Sequence, residues 1–302
     1  IQQLINEQIK SKDEYEVLWV CHRSSENVFK KVKNISGYKV FLDPVIPAKR
    51  LERFSFYANE IPGFSELLAK FKPDIVHFHS LGSKTTLNHL ESAKKFGSKI
   101  LFTLHTPPCS CMGNFLNASH EICKGDLDDS RCTFFRLRSK KIPLVIAKLI
   151  SLQEGLFLSA NNKNNFSRLL TSRKLTRNMH SSWMRLMREV DTIHVLSNWG
   201  KDMLVKQMID ENKIQLIRTA GPTKLINKKR VPMQDNILKV VFWGRCNPQK
   251  GIHLVVDALL MLPKSLPIKL DIYGPYWGNN NYSNDLKKRI RKDKRINLCG
   301  NF

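Results

Sequence analysis

The chain has 302 residues, long enough for two domains of ordinary size, and its 42% hydrophobic, 25% charged composition suits packed cores and excludes general disorder. Lys and Arg total 50 against 26 Asp and Glu, a formal net charge of +24 that attracts nucleic acid, an anionic membrane surface or anionic small substrates without choosing among them. No run approaches the ~20 apolar residues of a membrane span, so an integral membrane protein is not expected.

The sequence opens without an initiator Met or a signal-like start. Ile1, Leu4, Ile5 and Ile9 fall roughly on one side of a helical pattern. Residue 1 therefore lies inside an element, and the final INLCGNF stops after a strand. Both edges read as cut, and a longer protein is expected. Tyr15–Cys21 predicts a strand with His22 at its exit, and Gly37–Leu42 a second. Phe54–Phe71 is helical with a break at Pro62-Gly63. Pro73-Asp74 leads into the strand IVHFHS, whose alternation puts His77 and His79 on one face. His77 is expected to be buried and hydrogen-bonded, and His79 to face a ligand. Thr85–Phe96 is a helix stopped by Gly97, and Lys99–Leu104 is a strand with His105 at its exit.

Four of the seven cysteines follow closely: Cys109, Cys111, Cys123 and Cys132, with His120 among them. In an intracellular enzyme such clustered thiols suit a structural zinc or stay reduced and unligated; a disulfide ranks last. Phe134–Leu152 is basic and amphipathic. It either lies in a membrane interface or packs on its own domain with a basic solvent face. An Asn-rich loop covers Asn161–Asn165, and Met179–Val190 is helical. Asp191 opens a strand through Leu196, and Ser197 is placed to cap the helix Trp199–Ile209. Ile214–Arg218 is a short strand. The basic, polar stretch Lys224–Asn236 reads as a linker or surface loop, which sets a domain boundary near residue 220.

Val240–Trp243 is an apolar run that predicts a buried strand ending at Gly244. Arg245 and Lys250 follow in a short loop, then Gly251 and a helix with Ile252, Val255, Val256, Leu259 and Leu260 at helical spacing. Pro263–Pro267 breaks the chain before the strand Ile268–Tyr273, closed by Gly274-Pro275. Strand, loop, helix and strand in this order mark a parallel α/β unit. Two cations beside a helix N-terminus, beyond a strand's carboxyl end, suit a diphosphate; the plainer reading is two solvated charges. A loop at Gly278–Asn284, a short helix at Leu286–Lys292 and a strand at Ile296–Cys299 complete the chain.

Gly244, Arg245, Lys250 and Gly251, with the strand ending Tyr273-Gly274-Pro275, resemble the donor-binding segment of retaining nucleotide-sugar glycosyltransferases of the "group 1" family. These have the GT-B architecture, an α/β fold of two Rossmann-like domains facing a cleft. Pro73–His79, Thr103-Leu104-His105, Val190–Ser197 and Cys123-Lys124-Gly125 resemble further segments of the same family, in the same order. The resemblance implies an acceptor-side domain over 1–219, with a Cys-containing insertion at about 107–135, and an incomplete donor domain over 220–302. It implies transfer of a sugar from a nucleoside diphosphate sugar to a hydroxyl of a glycan or lipid-linked acceptor, with retained configuration, in cell-surface polysaccharide or glycolipid synthesis. Arg245 and Lys250 would hold the diphosphate, with Gly244, Gly251, Gly274 and Ser197 as further donor contacts. His105 would position the donor sugar or acceptor, with His79 beside the acceptor. No cofactor is required, no specific nucleic acid is expected, and the location is cytoplasmic or peripheral at the inner face of the membrane. Thr106 stands where relatives often carry an acid, only Gly221 matches the family's crossover motif, and the family's acidic pair would fall beyond residue 302. The alternatives are a nucleic-acid-binding or non-catalytic truncated protein, and a sugar-nucleotide epimerase of the same fold.

Overall fold

The computed structural model describes residues 4, 16–22, 32–35, 37–42, 61, 63–79, 85–105, 125–153, 164–218, 236–274 and 281–300. The backbone divides into two compact units, Ile1–Gly221 and Pro222–Phe302. All but Leu4 of the expected helix over residues 1–10, the linker 224–235 and three of the clustered cysteines lie outside the described residues.

The first unit carries two sheets among its described residues. One joins β1 (Leu18–His22), β2 (Val32–Ile35) and β3 (Gly37–Leu42) in the order β1-β3-β2. β1 runs parallel to β3, and β2 pairs with β3 antiparallel. β2 is absent from the sequence reading, because VKNI offers too few alternating apolar positions to stand out from a turn.

The other sheet is wholly parallel. α1 (Phe64–Phe71) precedes β4 (Ile75–Phe78), α2 (Leu87–Lys95) precedes β5 (Lys99–Leu104), and β6 (Thr192–Val195), α7 (Asn198–Lys206) and β7 (Ile214–Leu216) follow. The strand order is β4-β5-β6-β7. α1 buries Phe64 and Leu68 and stops at Lys72, which takes a left-handed conformation just before Pro73. α2 opens with a reciprocal cap: the Thr86 backbone N–H donates to His89 Nδ1 at 3.1 Å, so the buried His89 ring is used in starting a helix. Asp191 locks the entry of β6 to β5, its carboxylate accepting from the Ile100 N–H at 2.8 Å.

Between β5 and β6 the chain makes a helical layer: α3 (Asp129–Ser139), α4 (Leu144–Leu152), α5 (Asn165–Leu170) and α6 (Ser172–Glu189). The single amphipathic segment expected over Phe134–Leu152 is two helices, broken by the left-handed Lys141 and by Pro143 at the N-cap of α4. α6 starts well before the expected Met179. Its polar first half hides the helix in the sequence, yet Leu175, Thr176, Met179 and His180 are buried there. Asn164, placed by sequence in a loop, caps α5 by accepting from the Phe166 N–H.

The second unit contains β8 (Leu238–Trp243), α8 (Ile252–Met261), β9 (Ile268–Tyr273), α9 (Asn281–Ile290) and β10 (Ile296–Gly300). The strands are parallel in the order β10-β9-β8. α9 begins at Asn281, so the expected loop through Asn284 is helical in its second half; Ser283 is buried under it. β8 corrects a larger expectation. It is a strand, but not one buried on both faces: Val241 is 61% and Trp243 72% exposed. The reason is topological. Strands that add in one direction through right-handed crossovers place their helices on one face. Both α8 and α9 pack there, over Leu270 and Ile272. Arg289 Nη1 joins the two helices, 3.0 Å from each carboxylate oxygen of Asp257.

Gly274 is the tightest point of this unit. A Cβ there would stand 1.8 Å from the Gly244 carbonyl oxygen. Gly274→Ala should therefore destabilise the chain by about 1–3 kcal/mol, read as a lower midpoint in urea unfolding followed by circular dichroism. An unchanged midpoint would show that the strand ends separate without cost.

Candidate functional site

Two groups of residues collect at the carboxyl ends of the parallel strands, one in each unit. In the second unit the strand ends are tied by glycine N–H groups: Gly244 donates to the Tyr273 carbonyl at 3.0 Å and Gly274 to the Gly300 carbonyl at 2.8 Å. The chain then turns outward. Arg245 is exposed, while Cys246 points in, buried, with its thiol 3.9 Å from Ser283 Oγ on α9. Burial pushes that thiol's pKa up, so it acts as an apolar plug and not as a reactive thiolate. Pro248–Lys250 forms one turn of 3-10 helix, and Gly251 enters α8 with φ of 74°. A left-handed residue is needed there and glycine supplies it without strain. The N-cap of α8 is Gly251, which has no side chain to satisfy the leading N–H groups, and such a helix start favours an anion.

Arg245 and Lys250 are both exposed, and among the described residues neither is paired with a carboxylate. The Lys250 stem passes over Gly244, its Cγ 4.0 Å from where a Cβ on Gly244 would be. The loop thus joins two cations, a glycine floor and a helix start with glycine at its N-cap. Gly251 serves the backbone turn, and Gly244 with Gly274 serves the mutual approach of two strand ends.

In the first unit the group is made of histidines. His77 Nε2 lies 2.7 Å from Thr103 Oγ1, and His79 Nδ1 lies 3.0 Å from His105 Nε2, one ring donating and the other accepting. The His77 and His79 rings are 4.0 Å apart, as alternation along one strand requires. His194 on β6 completes the set, its ring edge-on to His77 at 5.9 Å. The sequence reading passes over His194. Its signal was faint: a polar residue between Ile193 and Val195, in register with Thr103 on the neighbouring strand. Burial first, and then the neighbouring imidazoles, lower the pKa of His77 to about 3 and that of His79 to about 4. Burial also lowers His105 and His194. The cluster is therefore neutral at pH 7. It can orient hydroxyl groups by donating and accepting hydrogen bonds, but it brings no positive charge to a phosphate.

Ser197 is occupied as the cap of α7, accepting from the Gly200 N–H at 3.2 Å. Of the clustered cysteines only Cys132 lies within the described residues. It is buried on α3, with its thiol donating to the Asp126 carbonyl oxygen at 3.8 Å. Nearby, His180 Nδ1 meets the Asp129 carboxylate. Burial opposes charge on His180, but Cys132 and Asp129 outweigh it and hold the pKa above the ordinary value. Among the described residues no group of three or more His, Cys, Asp or Glu is arranged to hold a metal ion.

Residues 1–146 match the family model described as Glycosyltransferase Family 4. No curated protein matches the sequence. Several solved structures superpose loosely. Anabaena Alr3699/HepE in complex with UDP and glucose has 11% identity and a TM-score of 0.47 over 99% of this chain and 65% of that one. The same Anabaena protein in complex with UDP has 13% identity and a TM-score of 0.44 over 80% and 52% of the two chains. A putative UDP-N-acetylglucosamine 2-epimerase from Listeria monocytogenes has 13% identity and a TM-score of 0.42 over 99% and 64%. The chain thus spans less than two thirds of the length of these structures.

The histidine cluster has a pH signature. A ring that is neutral in the fold but protonates near 6.5 when unfolded leaves stability intact above that value. As pH falls from 6.5 toward 4 the unfolded chain gains protons that the fold refuses, and stability drops. His77→Gln should make that decline shallower in urea unfolding measured across the range. NMR titration should find the His77 and His79 rings still neutral near pH 5.5, about a unit below the ordinary histidine value; rings titrating at 6 or above would contradict the assignment.

Proposed function

We propose that this chain is the greater part of a GT-B-type, nucleotide-sugar-dependent glycosyltransferase, in which the loop from Gly244 to Gly251 holds the donor diphosphate. One observation carries the reading: Arg245 and Lys250 stand exposed and, among the described residues, without carboxylate partners, on a glycine-closed loop that leads into a helix N-terminus whose N-cap, Gly251, has no side chain. Arg offers a planar fork to two phosphate oxygens, and Lys a mobile point charge. The match of residues 1–146 to the Family 4 model supports the same reading from the other end of the chain.

In the proposed reaction the bond from the anomeric carbon to the diphosphate oxygen breaks, and the acceptor hydroxyl oxygen bonds to that carbon and gives up its proton to the departing diphosphate. The diphosphate leaves with the bonding pair. Its growing negative charge is met by Arg245, Lys250 and the leading N–H groups of α8, and this stabilisation of the leaving group is the main catalytic contribution. Retention of configuration belongs to the proposal through the family resemblance alone. The neutral His79 and His105 are assigned to the hydroxyls of the acceptor or donor sugar, where hydrogen bonding without charge is what is needed. Gly244, Gly251 and Gly274 shape the loop, and Ser197 acts through its helix cap. The acceptor is assigned as a glycan or a lipid-linked glycan, handled at the cytoplasmic face of a membrane.

Arg245→Ala and Lys250→Ala should each lower sugar transfer by about 10²–10³-fold, the size of one lost preorganised contact to a developing anion. Both residues are exposed, so the thermal midpoint should stay within about 2 °C, as for a surface change. Calorimetric titration with UDP, GDP and ADP should find one that binds the wild type and binds each variant more weakly. Wild-type turnover in either variant would remove these residues from the site. Release of an altered nucleotide sugar, with no glycosylated acceptor, would replace transfer by epimerisation.

A further inference from the structure

α4 inverts the usual arrangement of a surface helix. Ala147, Ile150 and Ser151 face inward, onto Leu137 and the partly buried Phe134, Leu169 and Leu170. The outward arc holds Leu144, Val145, Ile146, Leu149 and Leu152, between 44% and 65% exposed. Phe166, two-thirds exposed on α5, adds to the apolar surface of this helical layer. Single exposed apolar residues are ordinary; five on one nine-residue helix form a patch of the kind that marks an interaction surface.

The charges on α4 and on the turn before it are of one sign. Lys148 is the only charged residue on α4, and Lys140 and Lys141 form the turn before it. Lys140 and Arg168 stand on the walls of a groove of about 310 Å³ whose apolar lining is Leu137, Ile142 and Leu169. None of the residues lining the groove, and none on α4, is acidic. An apolar surface flanked by cations has two obvious occupants, a second copy of this chain or an anionic bilayer. A twofold contact between copies would set the same patch against itself, bringing Lys148 and its neighbours toward their own equivalents. That like-charge cost is absent for a bilayer, whose headgroup charge is opposite. α4 is nine residues long, a rise of about 14 Å, and among the described residues no helix is long and apolar enough to cross a membrane. The helix can lie in an interface but cannot span it.

We propose that the outer face of α4 docks the protein onto an anionic phospholipid bilayer, with Val145, Leu149 and Leu152 entering the acyl boundary and Lys141 and Lys148 meeting lipid phosphates. The docking face is independent of the diphosphate loop, and its test uses no donor. In vesicle flotation the wild-type protein should bind phosphatidylcholine vesicles holding about a third phosphatidylglycerol, bind pure phosphatidylcholine vesicles far less, and lose binding as salt is raised. Val145→Glu with Leu149→Glu should lower binding to the anionic vesicles by about tenfold or more, with an unchanged circular dichroism spectrum, because both side chains are solvent-exposed. Lys141→Gln with Lys148→Gln should weaken binding to anionic vesicles alone. Arg245→Ala should bind vesicles as the wild type does, which separates this proposal from the donor site. Equal binding to both vesicle types, or undiminished binding by the double glutamate variant, would overturn it. So would sedimentation equilibrium showing a wild-type dimer, dissociated by those glutamates, together with no vesicle binding.

Discussion

Parallel pairing with crossovers of one hand puts every strand's carboxyl end on the same edge of its sheet. Nearly all of the chemistry described here follows from that constraint. In the first unit it brings His79, His105 and Ser197 to one edge, although they are far apart in sequence. In the second it sets Gly244, Gly274 and Gly300 side by side, so closely that the Gly244 carbonyl fills the place of a Cβ on Gly274. The same rule places α8 and α9 on a single face and leaves the other face of β8 open at Val241 and Trp243.

Electrostatics divides the two edges. The histidines are crowded and partly buried, so each neighbouring imidazole makes a proton on the next one harder to hold. They are suited to hydroxyl groups. Arg245 and Lys250 extend into solvent from a loop in which Cys246 points inward as a plug. They are suited to an anion. The glycosyl transfer proposed above would draw on polar but uncharged contacts for the sugar and on fixed positive charge for the leaving group. On α4 and the turn before it, basic residues accompany an apolar surface.

Much of the architecture was legible in the sequence because it depends on local pattern. The run before Gly244, the helical spacing from Ile252 and the alternation through His77 and His79 each announce their element, and each element forms. The Ser197 cap was legible for the same reason: capping joins residues three apart. Elements whose stability comes from packing were harder to see. The first half of α6 is polar in sequence but buried against the helical layer, and α9 begins inside a run of Asn, Tyr and Ser that reads as a loop. β2 is too short to carry a pattern and exists through its pairing with β3.

The sequence by itself determined the parallel α/β character, the loop with its two cations and the histidine-bearing strand ends, since these are carried by neighbours along the chain. Tertiary structure alone decided that His194 joins the histidine cluster, that those rings stay uncharged, and that Gly274 is held by contact with Gly244. It also decided that α4 turns its apolar side to solvent. Each of these depends on which distant segments pack together and on how much water they exclude, and neither quantity can be read from the order of residues.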